Sequence, residues 1–482
     1  MRLLRGVYEG PGSHGILRLA ASVRGVHAVL RALPGEGYFP ALYGSRERAA
    51  EAAPVTLSPL DGRANESLAP GDLARDLSGV VRRHPRTEAV VLARSEAALL
   101  SEGNIPETTL PEAAGTGRVP KLVTCSWEAP GMRETEAAEL ALEDLIRAHV
   151  KERPERSPYP TVNLFGPPVF GPSAAAEYAE AERLMDLVGV EVNARVPLGA
   201  SVEDLGRLPR AWANVLLYRE VGESATLYLQ DEFGTGRVTT PMIGAAGTGA
   251  ALRAVGELCE LDPKTVQRTT WTELARTAKL PWYARLEPPE ILKGRRVAVF
   301  GDFTYSLGLG YALAREVGLE VVACGTYLIH LERDFLFHAN TFTENAFVED
   351  DPEEVAARIE AADPDLVVGT HLEEEVADSL GVPFLALCPP VNYQPFVGRP
   401  LMGYAGSSVL ADALDGVLNR TETPPEASSA KAIGLPWTDD ALEELAEVPP
   451  FLRGRVRRLA EERAREAGSA EVTREVFLKS RY

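Results

Sequence analysis

Three carboxylates stand in loop sequences where they could do chemistry. Glu287 and Glu290 flank two prolines, which fix the direction of the loop that carries them. Glu36 lies between Gly35 and Gly37, and glycines on both sides let the backbone approach another group closely. A carboxyl group can donate a proton as a general acid or bind a metal through oxygen. Each of these residues could equally be an ordinary solvated glutamate in a loop. The residue types alone do not distinguish that role from a catalytic or metal-binding one.

Histidine and cysteine are the other side chains considered as ligands. His371 ends an apolar run in the order Gly-Thr-His, and parallel sheets bind ligands at the carboxyl ends of their strands. His371 is therefore a candidate binding residue. The cysteines are widely spaced, form no CxxC pair, and favour the role of small buried residues: Cys125, Cys259, Cys324 and Cys388. Neighbouring residues alone cannot build a complete metal site.

The composition disfavours some classes of partner. The chain has 482 residues, of which 45% are hydrophobic, and a net charge of −20. Such an acidic surplus disfavours nucleic acids and anionic membrane surfaces. The amino terminus turns polar too soon for a secretory signal. Because no apolar run approaches the roughly 18 residues needed to span a bilayer, the sequence predicts a cytoplasmic protein without a membrane span.

The elements that must position these residues follow an α/β pattern. Residues 296–301 and 319–324 are short apolar runs on either side of a segment with helical spacing. This order predicts a strand, a crossover helix and a parallel partner strand. A similar order opens at residue 162. The first 150 residues also alternate between apolar and helical stretches, with one predicted helix over residues 16–33.

The pattern predicts three Rossmann-like parallel-sheet domains and a small helical tail. We expect α/β domains at residues 1–155, which carry Glu36, at 161–288 and at 291–420. A Pro/Glu/Ser-rich stretch precedes a small helical domain at 435–482. Gly308 and Gly310 lack the third glycine of a dinucleotide-binding loop. No P-loop is present, so any ATP hydrolysis belongs to another subunit.

Several stretches together resemble one family. The chain is similar to the B subunits of the light-independent (dark-operative) protochlorophyllide reductases, which are nitrogenase-like oxidoreductases. The resemblance spans nearly the whole length. It rests on Val7-Tyr-Glu-Gly-Pro11, Leu208-Pro-Arg-Ala-Trp-Ala-Asn214, Tyr218-Arg-Glu-Val-Gly222, residues 293–302, Gly325-Thr-Tyr327, Gly403-Tyr-Ala-Gly406, Leu435-Pro-Trp-Thr438 and residues 450–458.

The resemblance implies a nitrogenase component 1-like fold and a role in chlorophyll and bacteriochlorophyll biosynthesis. In this family, the B subunit pairs with the N subunit in an N2B2 heterotetramer. A separate iron–sulfur ATPase, the L subunit, delivers electrons in a ferredoxin-dependent, ATP-dependent reaction on a CH–CH bond. A [4Fe-4S] cluster, held by three cysteines of N and one aspartate of B, passes the electrons to a bound tetrapyrrole.

The chain departs from the family where the chemistry is expected. The family's aspartate ligand falls on Glu36, which keeps an oxygen donor and adds a methylene. The family's proton-donating aspartate falls on Pro288, which has no proton to donate. The resemblance therefore points to the adjacent Glu287 as the catalytic acid, with Glu290 close by.

The substrate-binding positions also differ. A Gly-Leu pair that contacts substrate in the family maps near Thr421 and Glu422, where this chain is shortened and polar. With His371, these two residues are the substrate-binding candidates. Two alternatives stay open: a diverged nitrogenase-like reductase for another tetrapyrrole or a small sulfur compound, and a non-catalytic assembly partner.

Overall fold

The computed structural model describes the chain in segments that form two units, residues 8–418 and residues 1–7 with 419–482. The predicted acids Glu287 and Glu290 lie outside the described residues. In the described part of the chain, no helix combines the length and hydropathy needed to cross a membrane. The described residues are 7–36, 54–60, 70–103, 108–113, 115, 117–150, 154–167, 174–276, 294–390, 398–422, 435–446, 460–461, 463–465, 468–469 and 471–479.

The first parallel sheet has the strand order β2-β1-β3-β4. Its elements are α1 (Gly12–Ser22), β1 (Val26–Ala32), β2 (Val55–Pro59), α2 (Pro70–Arg83), β3 (Ala89–Arg94), α3 (Glu96–Ser101), β4 (Lys121–Thr124) and α4 (Glu134–His149). The predicted helix over residues 16–33 is wrong in its second half, because residues 26–32 form β1. Side chains of α1 and α4 share one hydrophobic cluster with β1 and β3.

The second parallel sheet has the order β6-β5-β7-β8. Its elements are β5 (Thr161–Phe165), α5 (Ala174–Val188), β6 (Glu191–Val196), α6 (Val202–Arg207), β7 (Ala213–Leu216), α7 (Arg219–Phe233), β8 (Gly236–Val238), α8 (Gly244–Leu258) and α9 (Pro263–Arg276). Strand β5 is buried along its whole length, as expected for a central strand covered on both faces.

The third parallel sheet has the order β11-β10-β9-β12-β13. Its elements are β9 (Arg296–Gly301), α10 (Phe303–Ala312) with a π-helical turn (Leu313–Val317), β10 (Glu320–Thr326), α11 (Glu332–Ala339), β11 (Ala346–Val348), α12 (Pro352–Ala362), β12 (Leu366–Gly369), α13 (Glu374–Leu380), β13 (Phe384–Ala386) and α14 (Gly403–Glu422). The predicted strand–helix–strand unit and the parallel-sheet α/β class are confirmed.

Gly308 allows two helices to pack closely. A Cβ added at Gly308 of α10 would lie 2.7 Å from the Cβ of Ile243, the residue before α8. Alanine at this position would therefore push the helices apart. Close packing therefore explains why position 308 is glycine, and no bound dinucleotide is needed to explain it.

The C-terminal segment has its own small core. Helices α15 (Asp439–Ala446) and α16 (Arg474–Lys479) contribute Leu445 and Phe477 to a buried cluster with Val472. The ring of Trp437 meets that of Phe477 edge-on, with the ring centroids 5.8 Å apart. Its indole N–H donates to Glu461 at 3.1 Å. The tryptophan thus joins the segment that precedes α15 to the later residues.

Replacing Gly15 by alanine should destabilise the first sheet's helical layer. A Cβ at Gly15 would lie 1.9 Å from the carbonyl oxygen of Glu134, where α1 crosses α4, and overpacking of this kind costs about 1–3 kcal/mol. Gly416→Ala in α14 is the control, since nothing lies within 4 Å of its added Cβ. Urea midpoints of the full-length chain should fall for G15A and stay level or rise for G416A. Equal midpoints would contradict the close crossing.

Candidate functional site

Glu36 lies in the turn after β1, at the carboxyl edge of the first sheet. Its side chain is exposed, and its Oε2 accepts a hydrogen bond from the Leu33 N–H at 2.6 Å. Among the described residues, no donor bonds its other oxygen. An exposed carboxylate with an available oxygen has the access that a metal ligand needs.

His371 lies two residues beyond β12, at the carboxyl edge of the third sheet. Its Nδ1 is 2.9 Å from the carbonyl oxygen of Pro390, and its backbone N–H donates to the same oxygen at 3.1 Å. Because a carbonyl only accepts, Nδ1 carries a proton, and in the neutral imidazole Nε2 is then the acceptor. No hydrogen bond in the described part of the chain joins His371 to Glu36, which follows a strand of another sheet.

Thr421 and Glu422 are the last two residues of α14. Their helical backbone is described and their side chains are not. Glu287 and Glu290 lie wholly outside the described residues. The structure therefore places Glu36 and His371 at sheet edges and leaves the other candidates as predictions.

Two buried carboxyl groups that the sequence analysis did not single out meet at the start of α10. Asp302 follows β9 directly and accepts a hydrogen bond from the Tyr305 N–H at 2.9 Å. Glu220, in the first turn of α7, accepts from the Thr304 N–H at 3.3 Å and from the Thr304 hydroxyl. The two carboxyl groups therefore meet at the same first turn of α10, on neighbouring N–H groups. Their residues are only 4% and 2% exposed.

A third buried acid lies beside this pair. Glu177 of α5 is fully buried and accepts a hydrogen bond from the Tyr305 hydroxyl. The ring of Tyr218, two residues after β7, lies against the Tyr305 ring, with the centroids 5.5 Å apart. Burial raises the pKa of Glu177 to about 7 although the tyrosine hydroxyl favours its charged form. Several buried carboxyl and phenol groups that can hold a proton are therefore gathered where the second and third sheets meet.

Tyr8 and Glu373 form a further buried pair near His371. The Tyr8 hydroxyl donates to a Glu373 oxygen at 2.6 Å, and the Thr370 N–H donates to the other oxygen at 2.6 Å. Burial raises the pKa of Glu373, and the two donors oppose that rise. The Tyr8 ring stacks on the Tyr327 ring, with the centroids 5.1 Å apart. Tyr8 is thus anchored to the third sheet's carboxyl edge.

The cysteine thiols are unsuited to bind a metal. All four are buried, and burial raises the pKa of each, to about 11 for Cys259. Metal binding requires the thiolate. In the described segments, no group of three or more His, Cys, Asp or Glu side chains could hold a metal ion.

A cavity of about 390 Å³ opens where α7 and α8 face α10 and α11. Its described lining combines aromatic rings with basic side chains and contains no carboxylate. The aromatic and basic side chains in this lining are Arg219, Arg253, Phe303, Tyr311, His338 and Phe342.

The comparisons with known proteins cover both units of the chain. Residues 102–419 match the nitrogenase component 1 type oxidoreductases, and residues 437–481 match the proto-chlorophyllide reductase 57 kD subunit. The light-independent protochlorophyllide reductase B subunit of Synechococcus sp. (strain CC9311) is 31% identical, over 99% of this chain and 98% of the relative. Its counterpart from Heliobacterium modesticaldum is 32% identical, over 99% and 97%. The chain belongs to this B-subunit family.

A solved structure shows the same fold. The chain of the structure titled "Nitrogenase Cp1 at pH 6.5" matches with a TM-score of 0.72 and 15% sequence identity, over 89% of this chain and 96% of the other. The predicted nitrogenase component 1-like fold is therefore confirmed. At this identity the likeness concerns the fold alone.

Two stretches that identify the chain as a member of the B-subunit family also supply the buried pair. Glu220 belongs to Tyr218-Arg-Glu-Val-Gly222, and Asp302 closes residues 293–302. The sequence carried a signal for both acids, because each lies shortly after a strand and at the start of a helix. Glu220 is four residues after β7, in the first turn of α7, and Asp302 directly follows β9 as the N-cap of α10. Their pairing was not readable, because it depends on how two sheets face each other.

Replacing Tyr8 by phenylalanine should destabilise the chain, and the loss should grow with pH. Removing a hydroxyl that serves a buried carboxyl costs about 1–3 kcal/mol. The Glu373 pKa already lies above its ordinary value of 4.5, so folded-state stability falls as pH rises from that value towards the folded pKa. Losing the Tyr8 donor raises the folded-state pKa of Glu373 further, so the stability of the variant keeps falling over a wider range of pH.

Chemical unfolding between pH 5 and 8 measures this difference. Tyr159→Phe is the control, because Tyr159 is 52% exposed. A Y8F deficit that shrinks as pH rises would show that Tyr8 does not serve the charged carboxylate.

Proposed function

We propose that this chain is the B subunit of a light-independent protochlorophyllide reductase, which reduces one ring double bond of a tetrapyrrole. The observation that carries the proposal is the end-to-end likeness to the relatives, over 99% of this chain and 97–98% of theirs. The likeness includes the C-terminal residues 437–481. Reducing the double bond consumes two electrons and two protons, and the chain must therefore connect with a source of each.

The electron source is a separate ATP-dependent iron–sulfur protein, the L subunit, acting through a [4Fe-4S] cluster shared with the N subunit in an N2B2 complex. The cluster, when bound, supplies one-electron transfer. Among the described residues, Glu36 fits a ligand because it is exposed at a sheet edge with an available oxygen. The buried thiols of this chain do not fit, so the cluster's thiolates come from the N subunit.

The proton donor is Glu287, with Glu290 as the nearby substitute. A carboxyl group beside an apolar macrocycle loses solvation, which raises its pKa and keeps it protonated at neutral pH. His371 offers Nε2 as an acceptor for a polar group of the substrate, and Thr421 and Glu422 complete the proposed substrate-binding set. Pro288 at the family's donor position favours, as a second candidate, reduction of a different tetrapyrrole.

The proposed reaction is tested with the N, B and L subunits purified together without oxygen. Protochlorophyllide absorbance should change only when ATP and a reductant are present. Glu287→Gln should abolish turnover while pigment binding persists, because glutamine keeps the shape of the side chain and has no acidic proton. Glu290→Gln is the matched comparison: it should retain most activity if Glu287 is the donor, and loss of turnover in E290Q alone would make Glu290 the donor.

Each outcome separates the candidates. An intact complex that reduces another tetrapyrrole and leaves protochlorophyllide unchanged supports the second candidate. An assembled complex that passes no electrons from the L subunit identifies an assembly partner instead. Full turnover by E287Q would remove Glu287 from the reaction.

Glu36 is tested by the cluster itself. Glu36→Ala should lower the iron content of the N/B complex and alter its electron paramagnetic resonance spectrum, whereas Glu36→Asp should retain both, because it preserves an oxygen ligand. Glu112→Ala, at another loop carboxylate, is the control. An unchanged cluster in E36A assigns the fourth ligand to another residue.

A further inference from the structure

The buried Asp302–Glu220 pair connects two sheets of the chain. Glu220 lies in the first turn of α7, shortly after β7 of the second sheet, and Asp302 directly follows β9 of the third. Both acids bond the first turn of α10, through the N–H groups of Thr304 and Tyr305. The backbone N–H of Arg219 returns the contact by donating to the Thr304 hydroxyl at 3.1 Å. The seam between α7 and α10 therefore depends on two carboxyl groups.

No cation in the described part of the chain neutralises this pair, and neither carboxyl takes part in an ion pair there. The nearest guanidinium along the sequence, that of Arg219, is held by Glu223 and Asp334. It lies over the Phe303 ring, 5.2 Å from its centroid. Burying an unpaired carboxylate is costly, and a carboxyl group in such a place keeps its proton instead.

The geometry fits one proton and one negative charge. Two ionised carboxylates buried at the same helix start would repel each other. Two protonated groups would leave the positive end of α10 without the anion that it stabilises. A single proton between the oxygens satisfies both conditions.

We propose that Asp302 and Glu220 share one proton and that this proton locks α7 against α10, so that its loss opens the seam. The cavity of about 390 Å³ adjoins the seam, since Arg219 and Phe303 line it and neighbour the two acids in sequence. Opening would therefore widen access to that cavity. The inference does not depend on the proposed reaction.

The surrounding groups favour retention of the proton. Burial, and then the charge of Glu220, raise the pKa of Asp302, and burial raises that of Glu220. The neighbouring groups from the other packed elements are acidic or neutral and supply no positive charge: Glu177 of α5, Tyr218 after β7, Tyr305 of α10, Tyr327 after β10 and Cys388 after β13.

Hydrogen exchange in the full-length chain tests the lock. If opening releases the shared proton, the opening equilibrium of the α10 amides rises up to tenfold per pH unit. Mass spectrometry between pH 6 and 9, corrected for intrinsic exchange, should show that steep loss of protection over α7 and α10. Asp302→Asn should flatten it, because the amide donates permanently to Glu220. Asp378→Asn, at an exposed acid of α13, should match the wild type.

Infrared spectroscopy tests the proton independently of motion. At neutral pH the wild-type chain should show the carbonyl band of a protonated carboxylic acid that D302N lacks and D378N retains. Protection that does not change with pH in the wild type, or that falls as steeply in D302N, overturns the proposal. If D302N does not fold, Glu220→Gln replaces it, and its protection should likewise be flat with pH.

Discussion

Helix N-termini in this acidic chain are held by carboxyl groups that come from distant parts of the sequence. The start of a helix presents unbonded N–H groups and about half a positive charge. A buried carboxylate satisfies both, because its oxygens accept from the N–H groups and its charge opposes that of the helix end. Glu316 accepts hydrogen bonds from Ala245 and Ala246 at 2.8 and 2.9 Å, and Glu180 accepts one from Ala405 at 3.2 Å. The arrangement of the sheets depends on these contacts.

Two of these caps are reciprocal. Glu316 follows the third sheet's α10 and caps α8 of the second sheet, while Glu180 of α5, in the second sheet, caps α14 of the third. Each capped helix begins with a glycine at positive φ, 74° at Gly244 and 72° at Gly403, and a Cβ at either glycine would collide with its capping glutamate. The chain before one helix also pairs with the chain before the other. Loss of either carboxylate would therefore loosen both helix starts.

Sequence patterns predicted the elements better than the contacts between them. The apolar runs at β9 and β10 stood out because parallel strands covered on both faces are continuously apolar. The same property caused the error at residues 26–32, since every residue of β1 is buried and a fully buried strand has no alternation to separate it from a buried helix. His371 was predictable as a sheet-edge residue from its position after an apolar run. Glu36 was not, because the strand before it was predicted as a helix. The Asp302–Glu220 pair was not, because the two acids meet only when two sheets are placed side by side.

The resemblance to the B-subunit family is carried by residues that hold the fold together more than by residues expected to react. Tyr218-Arg-Glu-Val-Gly222 and residues 293–302, which carry much of it, supply Glu220 and Asp302 to the buried seam, where a lost hydrogen bond leaves an acid unsatisfied. Glu36 is exposed and can change length by a methylene without disturbing any buried group. A substitution at an exposed loop position therefore costs little stability, whereas one in the seam costs more. It follows that the seam fixes where the sheets end, and that the loop carboxylates at those ends can change while the scaffold that presents them stays the same.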